Sequence, residues 1–223
     1  MTCIQQVILS ASLSTGPRCL PAATMTSISH HTQISDREFY KQLPIYKDGV
    51  DTYDIQRLLS SQYNLDSLTF TAPPEGAIRL LKAGYPTVAM TYKRNQKHAV
   101  TVAGLEFVEQ DGACTDTVKA LGIIDPNVGQ LQWISVEQFA SMQYAQQMLV
   151  VFPPDEREKL DDAGFPTEIA ELVDKRFRSD ALIKRAKAHG EMNEQAKSLL
   201  QEAYQIDPSN PYFTQTQSQG RAQ

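Results

Sequence analysis

The chain has 223 residues, 41% of them hydrophobic and 21% charged, an ordinary globular balance. Such a length supports one core domain of about 150 residues and a smaller appendage. Its 21 basic and 26 acidic side chains leave a net charge of −5, which excludes the basic footprint expected for nucleic acid or an anionic membrane surface, and no apolar run approaches the roughly 18 residues of a membrane span.

In chain order, residues 7–13 are apolar, but no Lys or Arg precedes them, so they lack the basic start of a secretory signal. A cytoplasmic location is expected, with secretion left open should the true N-terminus be missing. The three cysteines, Cys3, Cys19 and Cys114, are too few and too odd for a disulfide framework. Cys3 and Cys114 are expected to be buried, inert thiols. The four histidines are not spaced with cysteines as a zinc site requires, so neither metal nor other cofactor is expected.

Gly16-Pro17 marks a turn, and a helix of small and apolar residues is expected to start close to Cys19, with Pro21 near its first position. His30 and His31 close that helix, where imidazolium would suit the dipole; both read as structural. Ser35 and Glu38 read as a capping box for a short helix ending near Leu43-Pro44. Asp48-Gly49 is a turn. A helix over 51–59, a strand over 68–71 and a helix over 74–83 closed by Gly84 follow. A β block then runs through 87–92, 99–108 with a bulge at Gly104, 122–125, 132–134 and 148–152, interrupted by a helix opening at 135–139. Strands so close in sequence predict an antiparallel sheet, and early helices with later strands predict an α+β domain. Pro153-Pro154 ends the pattern. The domain is placed at 1–152, a helical extension at 153–213 and a Gln- and Ser-rich disordered tail at 214–223. In the extension, helices are expected over 155–178 and 180–205, the latter split at Gly190 into 181–189 and 193–206.

A thiol reacts as its thiolate, favoured by a helix N-terminus and an adjacent histidine. Cys19 is expected at the helix start. His98 opens a strand after the polar loop 93–97, and Asp125 ends the next strand, where its carboxylate could orient the imidazole.

These residues carry a resemblance. The chain resembles the bacteriocin-processing, double-glycine-type peptidases and the wider papain-like family. Cys19-Leu20-Pro21-Ala22-Ala23 looks like the cysteine, Gly-Pro-Ala and small-residue helix of that family. His98 followed by Ala99-Val100-Thr101-Val102-Ala103-Gly104 looks like its histidine-bearing strand. Asp125-Pro126-Asn127-Val128-Gly129 looks like its Asp-Pro-x-x-Gly, Glu137-Gln138-Phe139 like its Glu-Phe helix, and Gly84-Tyr85-Pro86-Thr87-Val88 like its entry into the strand before the histidine. The match covers about residues 15–152. It implies a papain-like cysteine protease fold, N-terminal helices packed on an antiparallel sheet, with a C-terminal helical extension. It also implies a cysteine peptidase, or a related thiol-dependent amide hydrolase or acyl-transfer enzyme, using Cys19, His98 and Asp125 on a protein or peptide substrate. The family has Gly where this chain has Leu20. It places an oxyanion-binding glutamine six residues before the cysteine, where this chain has Leu13. Gln5, Gln6, Ser12 and Ser14 are the candidate substitutes, with Gln6 favoured as the oxyanion donor. The alternative is a catalytically weak papain-like binding module. Ala196, Leu200, Ala203 and Asp207-Pro208 resemble the later half of a tetratricopeptide repeat, which implies a protein partner for the C-terminal helices.

Overall fold

The computed structural model describes residues 3–7, 9–13, 18–32, 34–45, 49–93, 96–189 and 193–213. They form two compact units, Met1–Thr167 and Glu168–Gln223. The first unit is α+β, with its helices on one antiparallel sheet as expected. Its elements are β1 (Ile4–Gln6), α1 (Cys19–Ile28), α2 (Asp36–Lys41), α3 (Thr52–Tyr63), β2 (Asp66–Thr71), α4 (Pro74–Lys82), β3 (Thr87–Lys93), β4 (Gln96–Gln110), β5 (Ala113–Ile124), β6 (Leu131–Ser135), α5 (Val136–Met142), β7 (Gln143–Phe152) and α6 (Arg157–Asp162). The strand order is β2-β7-β3-β4-β5-β6, and β1 pairs with β4 beyond the reach of β3.

Helix α1 is the centre of the unit. Leu20 to Ile28 are all buried, although three of them carry hydroxyls. Those hydroxyls donate to the helix's own carbonyls: Thr24 to Leu20 at 2.9 Å, Thr26 to Ala22 at 3.0 Å and Ser27 to Thr24 at 2.8 Å. Satisfied in this way, they cost little to bury. Leu20, Met25 and Ile28 join Phe39, Ile55, Leu59, Val88 and Leu149 in one core cluster. The Thr101 hydroxyl donates to the Ala23 carbonyl at 2.8 Å and so fixes α1 along β4. Asp51 caps α3 through the Tyr53 N–H, and Asn64 ends it in the left-handed region at φ 51°.

Several expectations are corrected. Cys3 and Cys114 are not free thiols but a disulfide that closes 111 residues of sequence separation and ties the start of β1 to β5. The thiol count could not show this, because the pairing depends on β1, a three-residue strand with no periodic signal. β5 begins nine residues earlier than expected, since its outer half alternates exposed residues and forms a ribbon with β4. That ribbon turns at Asp111-Gly112, both at positive φ (53° and 80°), the geometry of a tight hairpin. Ser35 stands at the N-cap of α2, but its side chain makes no capping bond. Gly104 does mark a register shift, and the Trp133 ring lies where its Cβ would be. Residues 153–167 belong with the first unit: the Tyr85 hydroxyl donates to Glu156 at 2.8 Å, and Phe165 meets Phe70 edge-on at 4.9 Å. The turns at Gly16-Pro17 and Asp48-Gly49 and the tail from 214 lie wholly or partly outside the described residues.

The second unit is helical. Helix α7 (Thr167–His189) runs without the break expected near residue 179, and α8 (Glu194–Ile206) follows, capped by Asn193. Arg176 of α7 pairs with Asp207, and the Asn210 amide donates to Ser179 at 3.2 Å and to Asp180 at 2.7 Å. Ala196 and Ala203 are the buried small residues of α8.

Candidate active site

Cys19 is the first residue of α1, partly exposed, and it is the free cysteine of the chain. His98 is the third residue of β4, opposite Thr91 of β3, and is buried. β5 pairs Ile124 with Thr101, so Asp125, one step beyond, arrives beside the start of β4. There His98 Nε2 lies 2.8 Å from Asp125 Oδ1, with both side chains buried.

The turn after Asp125 fixes both its carboxylate and its backbone carbonyl. The Asn127 N–H donates to Oδ1 at 2.9 Å, while the Val128 and Gly129 N–H groups donate to the Asp125 carbonyl at 2.9 and 2.8 Å. Gly129 closes the turn at φ 72°, which explains the glycine four residues after the Asp. A carboxylate only accepts, so this geometry assigns the proton to Nε2 and leaves Nδ1 to take a proton from a neighbour.

Burial pushes the Cys19 thiol above its ordinary range, and the charge of Asp125 adds to the rise. The backbone N–H groups of Ala99, Leu20 and Cys19 act on the sulfur in the opposite direction. Ala99 follows His98 directly, so the sulfur lies against the strand position next to the imidazole. The expected helix-start lowering is therefore outweighed, in the unliganded protein, by desolvation. The role of the Ala99 N–H could not be read from the chain, because it depends on how α1 lies across β4.

Gln6 is not at this site. It pairs with Gly104, six residues along β4 from His98, about 20 Å away at the rise of a strand. The favoured oxyanion donor is thus withdrawn, because β1 is a strand laid on the far half of β4 rather than a loop returning to the helix. Gln5 is bonded elsewhere, its amide donating to the Leu81 carbonyl at 3.1 Å. The Ser12 N–H donates to the Thr26 hydroxyl at 2.9 Å, two turns along α1 from Cys19, and Ser14 lies outside the described residues. Leu13 rests against Gly129, beside the Asp125 turn.

His30 and His31 lie together at the other end of α1, their ring centroids 3.7 Å apart. Burial, and then the neighbouring His31, holds His30 down at about 4, although part of its ring meets solvent. Burial lowers His31 too, partly opposed by Glu156. Burial thus works against the imidazolium form that would suit the helix end. Among the described residues no cluster of metal-ligating side chains occurs, and no helix is long and apolar enough to cross a membrane.

No protein-family model matches the chain, and no curated protein is similar to it. Among solved structures, the chain is similar to the peptidase domain of Streptococcus ComA, a bi-functional ABC transporter involved in a quorum-sensing pathway. That likeness has 17% identity and a TM-score of 0.48 over 66% of this chain and 96% of that one. It is similar to a double-glycine-motif protease from an AMS/PCAT transporter in complex with the leader peptide, at 16% identity and a TM-score of 0.48 over 66% and 94% of the two chains. The peptidase domain of Streptococcus mutans ComA is a third, at 16% identity and a TM-score of 0.41 over 64% and 97%.

Proposed function

We propose that the first unit is a papain-like cysteine peptidase, or a related thiol-dependent amide hydrolase or acyl-transfer enzyme, acting on a protein or peptide substrate. The observation that carries this reading is the buried His98–Asp125 hydrogen bond set beside a free thiol at a helix start. Cys19 is the nucleophile. His98 Nδ1 takes the thiol proton, the thiolate sulfur bonds to the carbonyl carbon, and the imidazolium returns the proton to the departing amine. Asp125 holds the ring and balances the imidazolium charge. Water, or another acceptor, then cleaves the thioester. The Cys19 N–H is the backbone donor for the oxyanion.

Cys19→Ala should abolish release of new N-termini from a pool of unstructured peptides followed by mass spectrometry. The small side chain suits a helix start, so the melting temperature should barely move. If the variant cleaved as fast as wild type, Cys19 would not be the nucleophile.

A second reading has its own support. Leu13 stands where the resembled family has its oxyanion glutamine, and Gln6 is remote, which favours a catalytically weak peptide-binding module. In that case the Cys19→Ala variant would bind the same peptides as wild type while neither released product. The α7–α8 pair would then serve, as its tetratricopeptide-like residues suggest, to dock a protein partner. Under either reading the Cys3–Cys114 disulfide favours an oxidising compartment over the cytoplasmic location expected from the N-terminal residues.

A further inference from the structure

We propose that β1 is an exchangeable strand: once a dithiol reduces the Cys3–Cys114 bridge, β1 leaves β4 and takes the same place on a second copy of the chain. This is independent of the reading of Cys19. β5 covers one edge of β4 from Thr101 to Gln110, and β3 covers the other as far as Val102. β1 continues that second edge over Gly104–Glu106. The Val7 N–H donates to the Ala103 carbonyl at 3.0 Å, and the Phe107 N–H donates to the Cys3 carbonyl at 2.8 Å. The Gln5 amide donates to the Leu81 and Lys82 carbonyls at the end of α4, at 3.1 and 3.4 Å. With β1 gone, β4 from Ala103 to Phe107 presents bare N–H and C=O groups, the surface on which an extended segment adds as a further strand.

Little besides the bridge holds β1 in place. It is three residues long, and Ile4 is 43% exposed. The chain is fixed again from Ser10, whose N–H donates to the Ser29 hydroxyl at 2.8 Å, and Ser12, whose N–H donates to the Thr26 hydroxyl at 2.9 Å. The hinge therefore falls between Val7 and Ser10. Cys114 is exposed on the β4–β5 ribbon while Cys3 is buried, so a reagent thiolate meets the Cys114 sulfur first. It bonds to that sulfur, and Cys3 departs as a thiolate. The reagent's second thiolate then closes its own disulfide and releases Cys114, so the dithiol is oxidised as the bridge is reduced.

The occupant that fits the bared edge is β1 itself. A second copy's β1 repeats the Val7, Phe107 and Gln5 contacts in the same register, and it brings a Cys3 to Cys114. A short flexible tether keeps a chain's own strand at an effective concentration of about 1 mM, so exchange between copies needs protein approaching that level.

The test mixes unlabelled and heavy-isotope-labelled wild type in equal amounts. The mixture is reduced with dithiothreitol, freed of it, and reoxidised with oxidised glutathione at about 1 μM and about 500 μM, far below and close to the effective concentration. A bridged peptide that joins a light chain to a heavy one arises only between copies. Mass spectrometry should find light–heavy Cys3–Cys114 pairs at the higher concentration and at least about tenfold fewer at the lower. They should outnumber Cys3–Cys3 and Cys114–Cys114 pairs, and reduction should leave the near-UV circular dichroism unchanged. Absence of light–heavy Cys3–Cys114 pairs at the higher concentration would overturn the exchange. Like-with-like pairs in equal number would mean random oxidation and would overturn it as well. Loss of the near-UV signal on reduction would sink it too, because the whole unit would then open rather than its strand.

Discussion

At the residue scale the proposed site turns on a thiol that burial disfavours as an anion and on a histidine held by Asp125 at 2.8 Å. The two facts make separate contributions that one variant separates. In His98→Ala the proton acceptor is gone while the desolvation remains, so alkylation of Cys19 at neutral pH should drop at least about tenfold and become steeper with rising pH. Asp125→Asn should cost less, because it orients rather than takes the proton. Equal reactivity of wild type and His98→Ala would mean that the imidazole does not act on the sulfur. The other histidines give a pH dependence of stability. Desolvation, and then the neighbouring His31, lowers His30 to about 4 in the folded chain from the ordinary 6.5 of the unfolded one, so the unfolded chain takes up the proton first. Its neutral form therefore contributes fully above pH 6.5, and that contribution is lost as the pH falls from 6.5 towards 4. The urea midpoint should decline over that window, and less steeply in His30→Gln; parallel declines in the two proteins would show that other groups control it.

At the element scale β4 organises everything. Its first residues carry His98 and lie against α1. Its middle takes β1 and β5 on either side, with Gly104 making room for Trp133. Its far end meets β5 in the exposed ribbon that carries Cys114. A three-residue strand such as β1 has little pairing energy of its own, and the disulfide supplies what the strand lacks. In the chain-entropy account a loop of this length is worth about 4–5 kcal/mol, and losses of native bridges run at about 2–5 kcal/mol. The Cys3→Ser/Cys114→Ser double variant should therefore unfold at distinctly lower urea concentration than wild type. Unreduced, denatured wild type should take up one alkyl group per chain, at Cys19. Uptake of three would remove the bridge from the account.

At the scale of the whole molecule the chain forms two compact units. Cys19, His98 and Asp125 all belong to the first, which extends to Thr167. A chain ended after residue 167 should fold and keep Cys19 reactivity close to that of the full protein. One ended after residue 153 would lose Leu160 and Phe165, both buried, and the edge-on contact of Phe165 with Phe70. It should be less stable by about 2–5 kcal/mol or more, read by thermal melting. Equal stability of the two would return the boundary to 153.

What the chain determines by itself is what depends on local pattern and order. The α1 start at Cys19, the β3 and β4 strands, the α+β class and the Asp125 turn are all legible, since capping, alternation and Asp-Pro-x-x-Gly are short-range signals. So are His98 and Asp125 as partners, since they fall near the ends of neighbouring strands. Only the tertiary structure decides matters of register and reach. It lays β1 on the far half of β4 and so removes Gln6 from the reaction. It brings Cys3 to Cys114, and it sets Leu13 on Gly129. Each of these links residues that no periodicity relates. The direction of the thiol shift is of the same kind, because desolvation is a property of the packed core around α1 and not of any residue in it.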